Sequence, residues 1–159
     1  MGRKHYINYF VYYLGLDYRR KVASILKNCG DEHTEFSKEN MRAIMMYEYT
    51  RENMQQFMCL IERAEICFEK AQIIAKNNIL WKGYILYNKI RVDIMKYLVG
   101  EGKVRAKKEL INDLSNIIQI RENVCFLFQR EGSYLDMKFK EEVERVRMLK
   151  NNFENSGMK

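Results

Sequence analysis

Two histidines and four cysteines are the chain's main candidates for metal or nucleophilic chemistry: His5, His33, Cys29, Cys59, Cys67 and Cys125. The stretch Asp31-Glu32-His33 sets a histidine beside two carboxylates, donors that zinc accepts. It lies in a polar segment with no second histidine nearby, so a solvated loop is expected there. No Glu-x-x-His pair occurs, which removes the di-iron bundle motif. The cysteines form no Cys-x-x-Cys pair. Cys59 and Cys67 stand eight residues apart on one predicted helix and are expected to line its core-facing side. Cys125 has no evident histidine partner to activate it. A glycine-rich phosphate loop follows a strand, and no segment alternates with the period of two that a strand shows. These patterns predict a non-catalytic chain with no cofactor and no metal. The thiols read as reduced and the chain as intracellular.

Basic side chains carry the stronger signal. The net charge of +7 is uneven: residues 1–30 carry +5, 31–80 carry −3, 81–110 carry +5, and 111–159 carry zero. Arg3, Lys4, Arg19, Arg20 and Lys21 flank a tyrosine-rich helix. Lys103, Arg105, Lys107 and Lys108 cluster at a predicted helix start, where cations oppose the helix dipole. That penalty points to an external anion, an RNA phosphate or an acidic peptide. A solvated basic face, common in soluble proteins, is the competing reading.

The elements that position these residues are predicted to be helices throughout. The chain has 159 residues, no proline and only eight glycines, so helix breakers are scarce. Apolar residues make up 47%, too many for a disordered chain. The nearly apolar runs at 7–16 and 79–87 are too short to span a bilayer, and the first residues do not read as a targeting segment. Tyr6, Tyr9, Phe10, Tyr13 and Leu14 follow the spacing of a one-faced helix. A turn is expected at Gly15-Leu16-Asp17, with a second helix through Val22, Ile25 and Leu26 to a stop at Gly30. Ser37 is an N-cap, and the pattern then stays helical to about Ala75, with a bend near 50–53. Asn77-Asn78 is the next break, and Gly100-Glu101-Gly102 ends the helix that follows. Helices at 104–120, 122–129 and 139–153 complete about seven in antiparallel pairs. Residues 1–153 form one domain, and 154–159 are expected to fray.

The pairing resembles a known repeat. Ala64, Cys67, Phe68, Glu69, Lys70 and Ala71 match the second helix of the HAT (half-a-tetratricopeptide) repeat, with Glu65 in place of the usual Arg and Gln72 in place of the usual Leu. Trp81 and Tyr84 match the opening of the next first helix, where Asn88 stands at the customary acidic position. A unit with Tyr6 in the tryptophan place and a looser one around Phe128 echo it. Small residues such as Ala64 and Ala71 let helices approach closely, and Trp81 and Tyr84 fill the space between layers.

HAT repeats occur in RNA-processing scaffolds, and the order of parts is most similar to the HAT-repeat subunit of UtpB in the small-subunit processome. That resemblance implies a short right-handed superhelical array and a role in ribosomal RNA processing. It also implies WD-repeat propeller partners, contact with pre-rRNA or snoRNA, and a nucleolar location in the nucleus. A splicing scaffold of the crooked-neck kind, a basic RNA-binding helical module and a TPR-like peptide-binding regulator are the alternatives.

Overall fold

Polar caps set the helix ends that the apolar period alone leaves open. Ser37 Oγ accepts a hydrogen bond from the Asn40 amide at 3.1 Å, and Asn78 Oδ1 accepts from the Trp81 amide at 3.3 Å. Each satisfies a donor that the first helical turn leaves unpaired. Gly100 closes its helix with φ of 74° and donates its amide to the Lys96 carbonyl at 2.9 Å, a left-handed ending that glycine adopts without strain.

In a computed structural model these signals delimit six helices among the described residues: α1 (Gly2–Ile25), α2 (Lys38–Met45), α3 (Met54–Ala75), α4 (Ile79–Val99), α5 (Lys107–Phe128) and α6 (Ser133–Glu154). The structure describes residues 2–25, 36–46, 54–76, 78–100, 105–128 and 133–157, with side chains throughout except at 2–9, 79–80 and 124–139. No strand occurs among the described residues, and none of their helices is long and apolar enough to cross a membrane. The expected bend at 50–53 lies outside the described residues.

Two expected breaks do not form. Gly15 sits inside α1, where it permits close approach to α3 and makes no turn. A Cβ added at Gly15 would stand 2.7 Å from Cε1 of Phe68 and 3.1 Å from Cβ of Cys67. The helices predicted at 104–120 and 122–129 are one, because α5 continues through Arg121. Leu110, Leu114, Ile117 and Arg121 are all buried and recur at i, i+4, i+7 and i+11, one unbroken helical seam. α6 runs through Glu154, and a turn follows to Gly157.

The helices pack as α1 on α3, α3 on α4, α4 on α5 and α5 on α6. Cross-helix contacts show each pair to be antiparallel. Arg63 lies over the Tyr18 ring while Tyr12 meets Phe68. Glu65 reaches Lys96 while Gln72 reaches Lys89. Arg105 reaches Asp93 while Arg121 lies over Tyr84. Arg121 reaches Glu142 while Lys107 reaches Glu154. The short α2 packs on α4, and Asn152 of α6 donates to the Phe36 carbonyl just ahead of it at 3.2 Å. One continuous core results, drawing Phe57, Ile61 and Phe68 from α3, Ile85 and Ile94 from α4, Leu114 from α5 and Phe153 from α6.

Candidate partner-binding groove

Tyr12, Trp81 and Tyr84 form an aromatic junction between α1 and α4. Ala64, Phe68 and Ala71 are fully buried, and Trp81 and Tyr84 pack against the core. Trp81 meets Tyr12 edge-to-face at 5.1 Å between ring centroids and Tyr84 at 6.1 Å. Asn88 donates to the Tyr84 carbonyl at 2.9 Å and to the Tyr12 hydroxyl at 3.1 Å, tying α1 to α4. Burial pushes the Tyr12 hydroxyl up to about 12, although Arg121 pulls the other way. Tyr6, Tyr9 and Phe128 fall in α1 and α5, with side chains outside the described residues.

Arg121 joins this junction to α6. Its guanidinium lies 4.1 Å from the Tyr84 ring centroid and holds Glu142 at 2.7 Å, with side chains only 3% and 13% exposed. Gly83 makes room for it, since a Cβ there would be 3.2 Å from Arg121 Nε. Arg121 is not among the residues that the sequence singled out. The available signal was a charged residue on an otherwise apolar seam.

The two basic zones divide into inward and outward parts. Arg19 is buried, whereas Arg20, Lys21 and Lys108 are exposed. The side chains of Arg3 and Lys4, and all of Lys103, lie outside the described residues. Arg105 makes contacts of 3.2 Å to Asp93, 3.6 Å to Glu109 and 2.7 Å to Asp113. Burial opposes its charge, but Asp113 and Asp93 outweigh that and hold the guanidinium above its ordinary range. Lys107 donates to the carbonyls of Glu154 and Ser156 at 3.3 and 2.6 Å and lies over the Phe153 ring. The dipole penalty at the start of α5 thus has an internal explanation: Lys107 serves the carboxyl end of α6 instead.

Cys59 is exposed and Cys67 buried, so they do not share a core face. Eight residues leave them roughly 80° apart around a helix of 3.6 residues per turn. Burial raises the Cys67 thiol, which makes it a packing residue. Asp31, Glu32, His33, His5, Cys29 and Cys125 lie outside the residues with described side chains, and no metal-holding cluster occurs among those that are described.

One concavity among the described residues is not placed by the sequence. It is an open groove of about 800 Å³ along α3, α4 and α5. Half-buried Leu86 supplies apolar surface at its floor, with Ile90 and Ile117 buried behind it. Lys96 pairs with Glu65 at 3.0 Å, Lys89 donates to Gln72 at 3.3 Å, and Arg105 binds Asp93 and Asp113. Glu65 and Gln72 are the two positions that depart from the repeat's second-helix pattern. Burial pushes the Asp93 carboxyl up, with Arg105 pulling against it. Such volumes fall within the range of ligand sites, and the mixed lining suits recognition of a peptide.

No protein-family model, curated protein or solved structure matches the chain. The likeness to HAT repeats therefore rests on the residues quoted above, chiefly 62–84. The groove has a geometry of its own: three adjacent antiparallel helices, an apolar floor at Leu86, and polar side chains held in place by pairing.

Proposed function

We propose that this chain is a non-catalytic scaffold that holds a partner protein in the groove of α3, α4 and α5. The observation that carries this reading is the groove itself, an open trough formed by three consecutive helices. In this reading α1, α3, α4, α5 and α6 are a short right-handed superhelical array. The junction of Tyr12, Trp81 and Tyr84 fixes its first layers, and the Arg121–Glu142 pair fixes its last. The array belongs to a ribonucleoprotein assembly that processes ribosomal RNA, a placement supported by Phe68-Glu69-Lys70-Ala71 and by the Trp81 and Tyr84 spacing. Exposed Arg20, Lys21 and Lys108 lie beside RNA there.

Purification of the tagged chain from its own cells tests the placement. WD-repeat propeller proteins and pre-ribosomal RNA are expected in fixed proportion, and recovery with splicing factors instead would refute it. Leu86→Glu, on the apolar floor of the groove, tests the docking site. The variant is expected to keep its helical content and lose its protein partner. Undiminished capture would remove the groove from the interface. A TPR-like peptide-binding regulator is the second reading, favoured by the same groove. It predicts a bound peptide and no co-purifying RNA.

A further inference from the structure

We infer that the segment docked in this groove is basic: a short stretch of a partner protein with lysine or arginine on either side of an apolar residue. The inference rests on the scaffold reading above and adds the chemistry of the partner. Among the described residues the groove is lined by five carboxylates, Glu65, Glu69, Asp93, Glu109 and Asp113, against three cations, Lys89, Lys96 and Arg105. It therefore carries an excess of two negative charges on a chain whose net charge is +7. Its sign is opposite to that of the whole protein.

The distribution within the groove is as telling as the total. The three cations are engaged with neighbouring groove side chains: Lys96 with Glu65, Lys89 with Gln72, and Arg105 with Asp93 and Asp113. The carboxylates left open to a guest are on the walls. Glu69 of α3 is exposed and forms no ion pair among the described residues. Glu109 of α5 is 63% exposed, and its contact to Arg105 is long, at 3.6 Å. Between these walls α4 presents the half-buried Leu86, backed by the buried Ile90 and Ile117.

An apolar guest side chain resting on Leu86 places flanking side chains toward Glu69 on one wall and Glu109 on the other. Lysine and arginine reach such carboxylates with long flexible stems that also cover apolar surface. An acidic segment or an RNA phosphate meets like charge on both walls. The groove thus selects against the anion that the basic zones alone suggested.

The test uses the full chain and three fluorescein-labelled peptides: Lys-Arg-Leu-Arg-Lys, Gln-Gln-Leu-Gln-Gln and Glu-Glu-Leu-Glu-Glu. Anisotropy gives affinity at low and physiological salt, and hydrogen exchange locates the footprint. The basic peptide is expected to bind tightest, to weaken with salt, and to protect α3, α4 and α5. The double variant Glu69→Lys/Glu109→Lys is expected to lose about tenfold or more in affinity, as reversed contacts across an interface do. Glu141→Lys, on the exposed surface of α6, is expected to stay within about twofold of the parent.

Equal losses in Glu141→Lys and in the double variant would overturn the inference, because binding would then follow bulk charge. Protection of the groove by the neutral or acidic peptide but not the basic one would overturn the basic partner and leave the docking groove intact. A decauridine RNA that protects the groove would overturn it in favour of nucleic acid. Failure of all four probes to protect the groove would remove both the basic partner and the docking reading.

Discussion

Replacing Gly15 by alanine sets two effects of known sign against each other. Glycine inside a helix costs about 1 kcal/mol relative to alanine, so propensity alone favours the variant. Packing opposes it. The added Cβ would stand 2.7 Å from Cε1 and 3.0 Å from Cδ1 of Phe68, and 3.1 Å from Cβ of Cys67. The optimum between carbon atoms is about 3.5–4.0 Å. Phe68 is fully buried and packed against Tyr12, and a Cβ is carried rigidly by its backbone, so neither neighbour yields cheaply. Either α1 moves outward by most of an ångström or the Phe68 ring leaves its rotamer.

Overpacking of this kind costs about 1–3 kcal/mol. Outward movement of α1 also separates Tyr12 from Trp81 and Asn88, which places the cost toward the upper part of that range. A net loss of about 1–2 kcal/mol follows, or about 2–8 °C in Tm for a chain of this size. Urea unfolding followed through the emission of Trp81, the single tryptophan, reads the α1–α4 junction directly. Phe68→Leu added to Gly15→Ala is expected to cost less than the two changes summed, because it removes the ring that the Cβ strikes. A Gly15→Ala chain more stable than its parent by the propensity difference would refute the close approach of α1 and α3.

Arg121→Met breaks a buried pair and strands the Glu142 carboxylate, so a loss of about 3–5 kcal/mol is expected in urea unfolding. Adding Glu142→Leu is expected to restore much of it, since an apolar replacement of both partners is often neutral. Tyr12 ionises near 12 when folded, against an ordinary value of 10.0. Between those values the folded chain binds more protons than the unfolded one. The stability from Tyr12 is therefore complete below pH 10 and is lost as pH rises toward 12, by roughly 2–3 kcal/mol. Tyr12→Phe is expected to flatten that part of the profile of unfolding free energy against pH. Lys107→Met removes the donors that hold the carbonyls of Glu154 and Ser156, costing about 0.5–1 kcal/mol. Its signature is faster amide exchange at 153–157 with α3 unaffected.

The helical class and most of the breaks were legible because they depend on local chemistry. Ser37, Asn78 and Gly100 act through their own backbone neighbourhoods, and a cap or a left-handed residue reads the same in any fold. The aromatic junction was legible because Trp81 and Tyr84 repeat at a spacing that only a helix turns into one face. Gly15 was misread because the reason for a glycine there lies on α3, some fifty residues away. Arg121 went unnoticed for a related reason: its partner Glu142 and the gap left by Gly83 are on other helices. Asn88 shows the same thing from the other side. It sits among Ile85, Val92 and Met95 on a buried seam of α4, and only Tyr12 explains why an amide belongs there. The groove was invisible because its walls come from the polar stripes of three helices. Such stripes look like ordinary solvated faces until the helices stand side by side.

The skipped neighbour in the packing order governs how the chain reaches its fold. From α3 onward each helix finds its partner next in sequence, across a short connection. α1 does not pack chiefly on α2; it reaches past it to α3, so its interface closes only after a long stretch of chain is drawn in. Loop closure of that length carries an entropic cost that adjacent helices avoid, and local contacts form first where they are available. Topology therefore favours closure of α3 through α6 ahead of the docking of α1. During synthesis α1 leaves the ribosome before α3 and waits for its surface to be made. In the finished protein α1 is nonetheless held by the most extensive helix pairing among the described residues, that with α3, and the Tyr12–Trp81 contact ties it on to α4.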